Sequence, residues 1–156
     1  MKQVSWAEEI AATPEQVWAV LANPERMPHW LAKDGPYPYV VKVEGEAGEG
    51  ATWEVWAVDE QKATYSVQRY EPGQLLACEQ VRQTGPLPVW QRHTFGLDVT
   101  EQGTLVSWFV DYELLFEDWK QRVIIGWDMA DDIEEHMAVS LQNLKNVVEA
   151  DLKPEE

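Results

Sequence analysis

Along the first ten residues, Val4, Trp6, Glu8 and Ile10 alternate with smaller or polar neighbours, a two-residue period that predicts a strand. The period then changes. Thr13-Pro14-Glu15-Gln16 reads as a helix start: Thr13 caps, Pro14 suits the first helical position, and Gln16 stands at the capping-box spacing. Val17, Trp18 and Leu21 supply the buried face. Asn23-Pro24-Glu25-Arg26 repeats the cap-then-proline signal at once. A second short helix is therefore expected, carrying Met27, Trp30 and Leu31 and stopped by Asp34-Gly35-Pro36.

Residues 37–116 read as strands and turns. Tyr39-Val40-Val41-Lys42-Val43 is β-branched and leads into a glycine-spaced loop containing Gly45 and Gly50. Residues 52–58 alternate, with Trp53, Val55 and Ala57 on one face. A polar turn at Asp59-Glu60-Gln61-Lys62 precedes a strand over 63–70. Glu71-Pro72-Gly73-Gln74 closes it, with Pro-Gly at the centre of a type II turn. A strand over 75–81 is followed by the breaker Gly85-Pro86-Leu87-Pro88. Segments 90–99 and 104–116 form a last hairpin through Glu101-Gln102-Gly103, where glycine is available for a left-handed position. Consecutive strands joined by short turns predict an antiparallel meander.

The remainder is helical. Ile133, Met137, Leu141, Leu144, Val148 and Leu152 recur at three- and four-residue steps, which is one helical stripe. Asp128 is the expected cap, and Asp131, Asp132, Glu134 and Glu135 suit the positive end of the dipole. About 25 residues would reach about 37 Å, long enough to cross a sheet. Gly126 is expected to separate this helix from a shorter turn at 118–123. Without repeats, low-complexity tracts or a linker, residues 1–156 read as one domain.

Composition narrows the picture. The chain has 156 residues, 45% of them hydrophobic, enough for one sizeable core. Cys78 is the sole cysteine, so no internal disulfide forms. Lying in Leu75-Leu76-Ala77-Cys78 without a basic neighbour, it reads as a small buried hydrophobe rather than a reactive thiol. Twenty-eight acidic against twelve basic residues give a net charge of −16, which repels phosphate backbones and anionic lipids. No apolar run approaches the ~20 residues of a membrane span. Nucleic acid and membrane insertion are thus not expected. The opening residues lack the apolar segment of a signal peptide, so a cytoplasmic location is expected. Nine tryptophans, spread from Trp6 to Trp127, suit a core that is partly a lined cavity.

The order strand, two short helices, six strands, long helix resembles the helix-grip fold of the START/Bet v 1-like (SRPBCC) superfamily. Within it, the polyketide cyclase/dehydrase and lipid-transport branch is the nearest in pattern. Ile10-Ala11-Ala12-Thr13-Pro14-Glu15-Gln16-Val17-Trp18, then Leu21-Ala22-Asn23-Pro24-Glu25, is similar to the opening of those proteins. Trp30, Tyr70-Glu71-Pro72-Gly73, Gly103-Thr104-Leu105-Val106 and Leu141-Gln142-Asn143-Leu144-Lys145 resemble later landmarks. The resemblance covers essentially the whole chain and implies an α+β domain whose curved antiparallel sheet wraps the C-terminal helix. These motifs are structural, and a fold of this kind hosts carriers, sensors, enzymes and co-chaperones alike.

The resemblance further implies a cavity between sheet and C-terminal helix, lined from several strands and from Met137 and Leu141. Alternation turns Val106, Trp108, Val110, Tyr112 and Leu114 inward on the last strand, and Gln91, His93, Phe95 and Leu97 on its partner. Trp53 and Val55, then Tyr65, Val67 and Arg69, complete the expected lining. His93 is the expected proton carrier, because imidazole titrates near neutrality. Arg69 would hold a carboxylate or phenolate through its fork of donors. Tyr112, like Tyr65, would present a hydroxyl. His29 lies near the expected cavity mouth, and His136, off the helical stripe, is expected in solvent. The three histidines lack metal-ligand spacing, and no nucleophile elbow, phosphate loop or dinucleotide fingerprint is present, so neither metal nor cofactor is expected.

Three functions follow. The first is binding of a small apolar, aromatic or lipid-like molecule in the cavity. The alternative is a cofactor-independent cyclase or dehydratase using His93, Arg69 and Tyr112. The third is a co-chaperone-like interaction module working through its acidic surface.

Overall fold

A reciprocal pair of hydrogen bonds opens the first helix. In the computed structural model, Thr13 Oγ1 accepts from the Gln16 N–H at 3.2 Å, and the Gln16 side chain accepts from the Thr13 N–H at 2.9 Å. This is the capping box expected from the sequence. Asn23 likewise caps the next turn, its Oδ1 accepting from the Glu25 N–H at 3.1 Å.

The elements run β1 (Lys2–Ile10), α1 (Pro14–Leu21), a 3-10 turn at Pro24–Arg26, α2 (Met27–Trp30) and β2 (Val40–Glu44). They continue with β3 (Thr52–Trp56), β4 (Lys62–Glu71), β5 (Leu75–Arg82), β6 (Val89–Val99), β7 (Thr104–Leu114) and α3 (Trp119–Asp151). The structure describes residues 2–31, 40–56, 62–82, 89–114 and 119–152. At 40–42, 55–56, 62–63, 82, 89, 114, 119–130 and 132 the backbone alone is described. The expected stop at Asp34-Gly35-Pro36 and the breaker at Gly85-Pro86-Leu87-Pro88 lie outside the described residues. So do positions 59–61 of the polar turn, the expected start of the short turn at Asp118, and the side chains of Val55 and Leu114.

All seven strands form one antiparallel sheet in the order β1-β7-β6-β5-β4-β3-β2. Six neighbours in sequence order make the meander, and β1 closes on β7. With the C-terminal helix, this is the helix-grip fold. Gly73 sits at φ +75° with the Gln74 N–H donating to the Glu71 carbonyl at 2.9 Å, as a type II turn requires. Gly103 is needed for a second reason. A Cβ there would collide with the Ile10 carbonyl oxygen, where the β6–β7 hairpin rests on the chain leaving β1. The same junction is tied by Thr104 Oγ1 donating to the Ala12 carbonyl at 2.8 Å.

One expectation needs correction here. The last helix is one 33-residue rod, about 50 Å long, that runs through Gly126. A lone glycine costs a helix only about 1 kcal/mol relative to alanine, less than interrupting the ladder and capping twice. Asp128 is therefore a helix-interior residue rather than a cap. The rod packs along β1 and β7 and against α1 and α2. Met137, Leu141, Leu144 and Val148 are its buried stripe, at the predicted positions.

Candidate functional site

Alternation in β6 and β7 puts His93, Phe95, Leu97, Val106, Trp108, Val110 and Tyr112 on the buried face. Arg92 turns outward, where it meets Asp111 through paired hydrogen bonds of 3.0 and 3.3 Å. On β3 and β4, Trp53, Tyr65 and Val67 are buried on the same inner face.

Between this face and α1–α2 lies a cavity of about 20 Å³, the room of one water molecule. Helix α1 contributes Leu21, and α2 with its C-terminal residue contributes Met27, Trp30 and Leu31. The sheet contributes Trp53, Tyr65, Leu76, Cys78, His93, Phe95 and Trp108. The rings interlock: Trp53 stacks on Tyr65 with centroids 5.4 Å apart, and Phe95 stacks on Trp108 at 4.8 Å. Trp30 meets Phe95 and Trp108 edge-on at 6.0 and 6.3 Å.

His93 is buried and carries hydrogen bonds on both ring nitrogens. Nδ1 accepts from Trp108 Nε1–H at 3.1 Å, and an indole nitrogen is only ever a donor. That fixes the proton on Nε2, which donates to Gln80 Oε1 at 2.7 Å. Burial, with the charge of His136 as the lesser cause, pushes the imidazole pKa down to about 3, so the ring is neutral at physiological pH. In this arrangement neither nitrogen is left for a substrate.

The other expected site residues separate into groups. Arg69 is outside the lining: its side chain is 61% exposed and pairs with Glu71 at 2.9 Å. The cause is a β-bulge. Val67 pairs with Cys78 but Arg69 with Ala77, so Gln68 is an extra residue and the face inverts. Tyr70 then takes the inward position and packs edge-on against Trp18 at 5.1 Å. Tyr112 is buried, its phenol raised above the usual range by burial and by the charge of Asp131. Tyr112, Val67, Val106 and Val110 belong to the solid core beside the cavity, as do Met137 and Leu141 on α3. Among the described residues, those lining this cavity come from α1, α2 with the residue after it, and the sheet.

Some participants were missed or misplaced by sequence reasoning. Gln80, on an inward position of β5, anchors His93 and gave no signal beyond alternation. His136 is half-buried, its ring edge-on to Trp108 at 6.4 Å, rather than in solvent. Cys78 lines the cavity, and burial pushes its thiol up to about 12, which keeps it protonated and inert. The Nε1–H groups of Trp30 and Trp53 are buried without a hydrogen-bond partner in the protein. Among the described residues no three His, Cys, Asp or Glu side chains converge as a metal would require.

The pattern of the polyketide cyclase/dehydrase and lipid transport family matches residues 1–149. The chain belongs to that family. Solved structures agree in fold. One from Staphylococcus aureus, of unknown function, superposes with a TM-score of 0.76 at 9% identity, covering 96% of this chain and 94% of its own. One from Rhodobacter sphaeroides gives 0.70 at 24% identity, with 97% and 93% covered. One from Chromobacterium violaceum gives 0.70 at 20% identity, with 94% and 96% covered. A comparison with curated proteins finds no match. At these identities the structural likeness concerns the fold alone. Membership in the family suggests ligand binding without naming a ligand. Among the described residues, no helix is long and apolar enough to cross a membrane.

Proposed function

We propose that this protein binds a small apolar molecule, aromatic or lipid-like, between α1–α2 and the inner face of the sheet. The observation that carries the reading is the lining itself: five large aromatic rings and four aliphatic or thioether side chains converge from seven elements on one point. Pockets of this composition recognise apolar ligands, with few polar groups to orient them. At about 20 Å³ the cavity is too small for such a molecule, so a guest enters by displacing part of its wall. The wall suited to this is α2. It is a single turn without a side-chain cap, and it carries Met27 and Trp30 and is followed by Leu31. Outward movement of that turn frees the volume of three large side chains.

Binding is favoured over a proton-transfer enzyme because His93 has both nitrogens committed and Arg69 faces solvent. Titration with a panel of small apolar compounds, followed by tryptophan fluorescence, tests the reading. Saturable quenching by at least one class is expected. A flat response across the whole panel would remove it.

A further inference from the structure

Among the described residues, four buried side-chain polar atoms have no hydrogen-bond partner in the protein: Nε1 of Trp30, Nε1 of Trp53, and the hydroxyls of Thr64 and Ser140. A hydroxyl rotates and both donates and accepts. An indole N–H is fixed in its ring plane and only donates, so an acceptor alone satisfies it. Elsewhere the chain provides one: Trp90 donates to Glu79 at 2.6 Å and Trp108 to His93 at 3.1 Å. The two indoles left over both line the cavity, one brought by α2 and the other by β3. They are 2% and 7% exposed, so bulk water does not stand in for the missing partner. Leaving a buried donor unmet is costly, of the order of a whole hydrogen bond.

The remaining chemistry of the cavity limits what the acceptor is. His93 has both nitrogens engaged, and the Cys78 sulfur is a weak acceptor at best. Among the described residues no Lys or Arg lines the cavity, and the chain carries a net charge of −16. An anionic acceptor such as a carboxylate would be buried without a counter-charge, which is far more expensive than burying a neutral carbonyl. The walls are ring faces and edges, which favour a flat partner.

We infer that the guest is a neutral, flat, apolar molecule bearing a carbonyl-type oxygen, and that this oxygen accepts a hydrogen bond from the indole of Trp30 or Trp53. The inference rests on the binding reading above and adds the chemical class of ligand. Residues Trp30 and Trp53 become the specificity determinants of the site.

The test uses a matched pair of probes, 1-indanone and indane, which share a skeleton and differ by one carbonyl. In protein labelled with nitrogen-15 at its indoles, 1-indanone should move the N–H resonance of Trp30 or Trp53 downfield, and indane should not. Changing the indole that responds, by Trp30→Phe or Trp53→Phe, should weaken 1-indanone about tenfold and leave indane within about twofold. Equal weakening of both probes, or of neither, overturns the inference while cavity binding stands. If neither probe binds and no other apolar compound does, the binding reading itself falls. Should one variant not fold, the resonance shift in the unaltered protein still decides the point.

Discussion

Two halves of the buried face are built differently. Under the C-terminal half of α3, Ile10, Val17, Val106, Leu141, Leu144 and Val148 are at most 1% exposed, an aliphatic core shut off from solvent. Under α2 the same sheet carries Trp53, Tyr65, His93, Phe95 and Trp108, which with Trp30 of α2 surround a cavity. The first half has the form of a region selected for packing. Flat rings on a one-turn helix cannot interdigitate as branched aliphatics do, and the second half keeps a gap and two unmet donors. One continuous sheet thus holds a stabilising end and a receptive end, and variants at each should part stability from binding.

The largest effect belongs to the packed end. Leu141→Ala should cost about 3 kcal/mol, because full burial adds a cavity penalty to the lost transfer energy. Urea unfolding measures it. Binding of an apolar probe should be unchanged at a temperature where the variant is folded; a large loss of affinity would erase the distinction between the halves.

Next comes the acid response of the receptive end. The folded pKa of His93, about 3, lies below the ordinary value near 6.5, so the unfolded chain takes up the proton first. The stability of the neutral buried ring is fully present above pH 6.5 and is lost as pH falls toward 3. Between pH 7 and pH 5 the unaltered protein should lose about 2 kcal/mol more than His93→Gln does. Comparing urea midpoints of the two proteins at both pH values cancels the carboxylates they share. Identical pH dependence would mean that His93 is not held neutral.

Smaller effects sharpen the boundary. Cys78→Val adds bulk at the cavity wall and should change stability by less than about 1 kcal/mol, while weakening an apolar probe by about tenfold. Arg69→Ala, on the solvent side of the bulge, should shift stability by no more than about 0.5 kcal/mol and leave probe affinity untouched. A strong effect of Arg69→Ala on binding would return it to the site.

Much of this was readable from residues alone. Caps and turns were, because Thr13, Asn23, Pro72 and Gly73 act on their immediate neighbours. The strands of the meander were, because alternation is local. The face of His93, Phe95 and Trp108 followed from the same rule. Arg69 did not, since a bulge is a count of two residues against one on the facing strand, and no glycine marks it. Gly126 misled because propensity at one position is a weak term against a 33-residue hydrogen-bond ladder. The position of the cavity was also hidden. Its wall joins Trp30 to Phe95 and Trp108, side chains far apart in sequence that only the fold brings together. His136 illustrates the same limit: a residue off the apolar stripe still meets Trp108 when the rod lies against the buried face of the sheet.

Native mass spectrometry of freshly purified protein tests the receptive end most directly. A species heavier than the chain by one small molecule is expected, and gentle solvent extraction should release that molecule. The chain mass alone, together with no uptake after incubation with flat apolar ketones, would contradict a guest beneath α2.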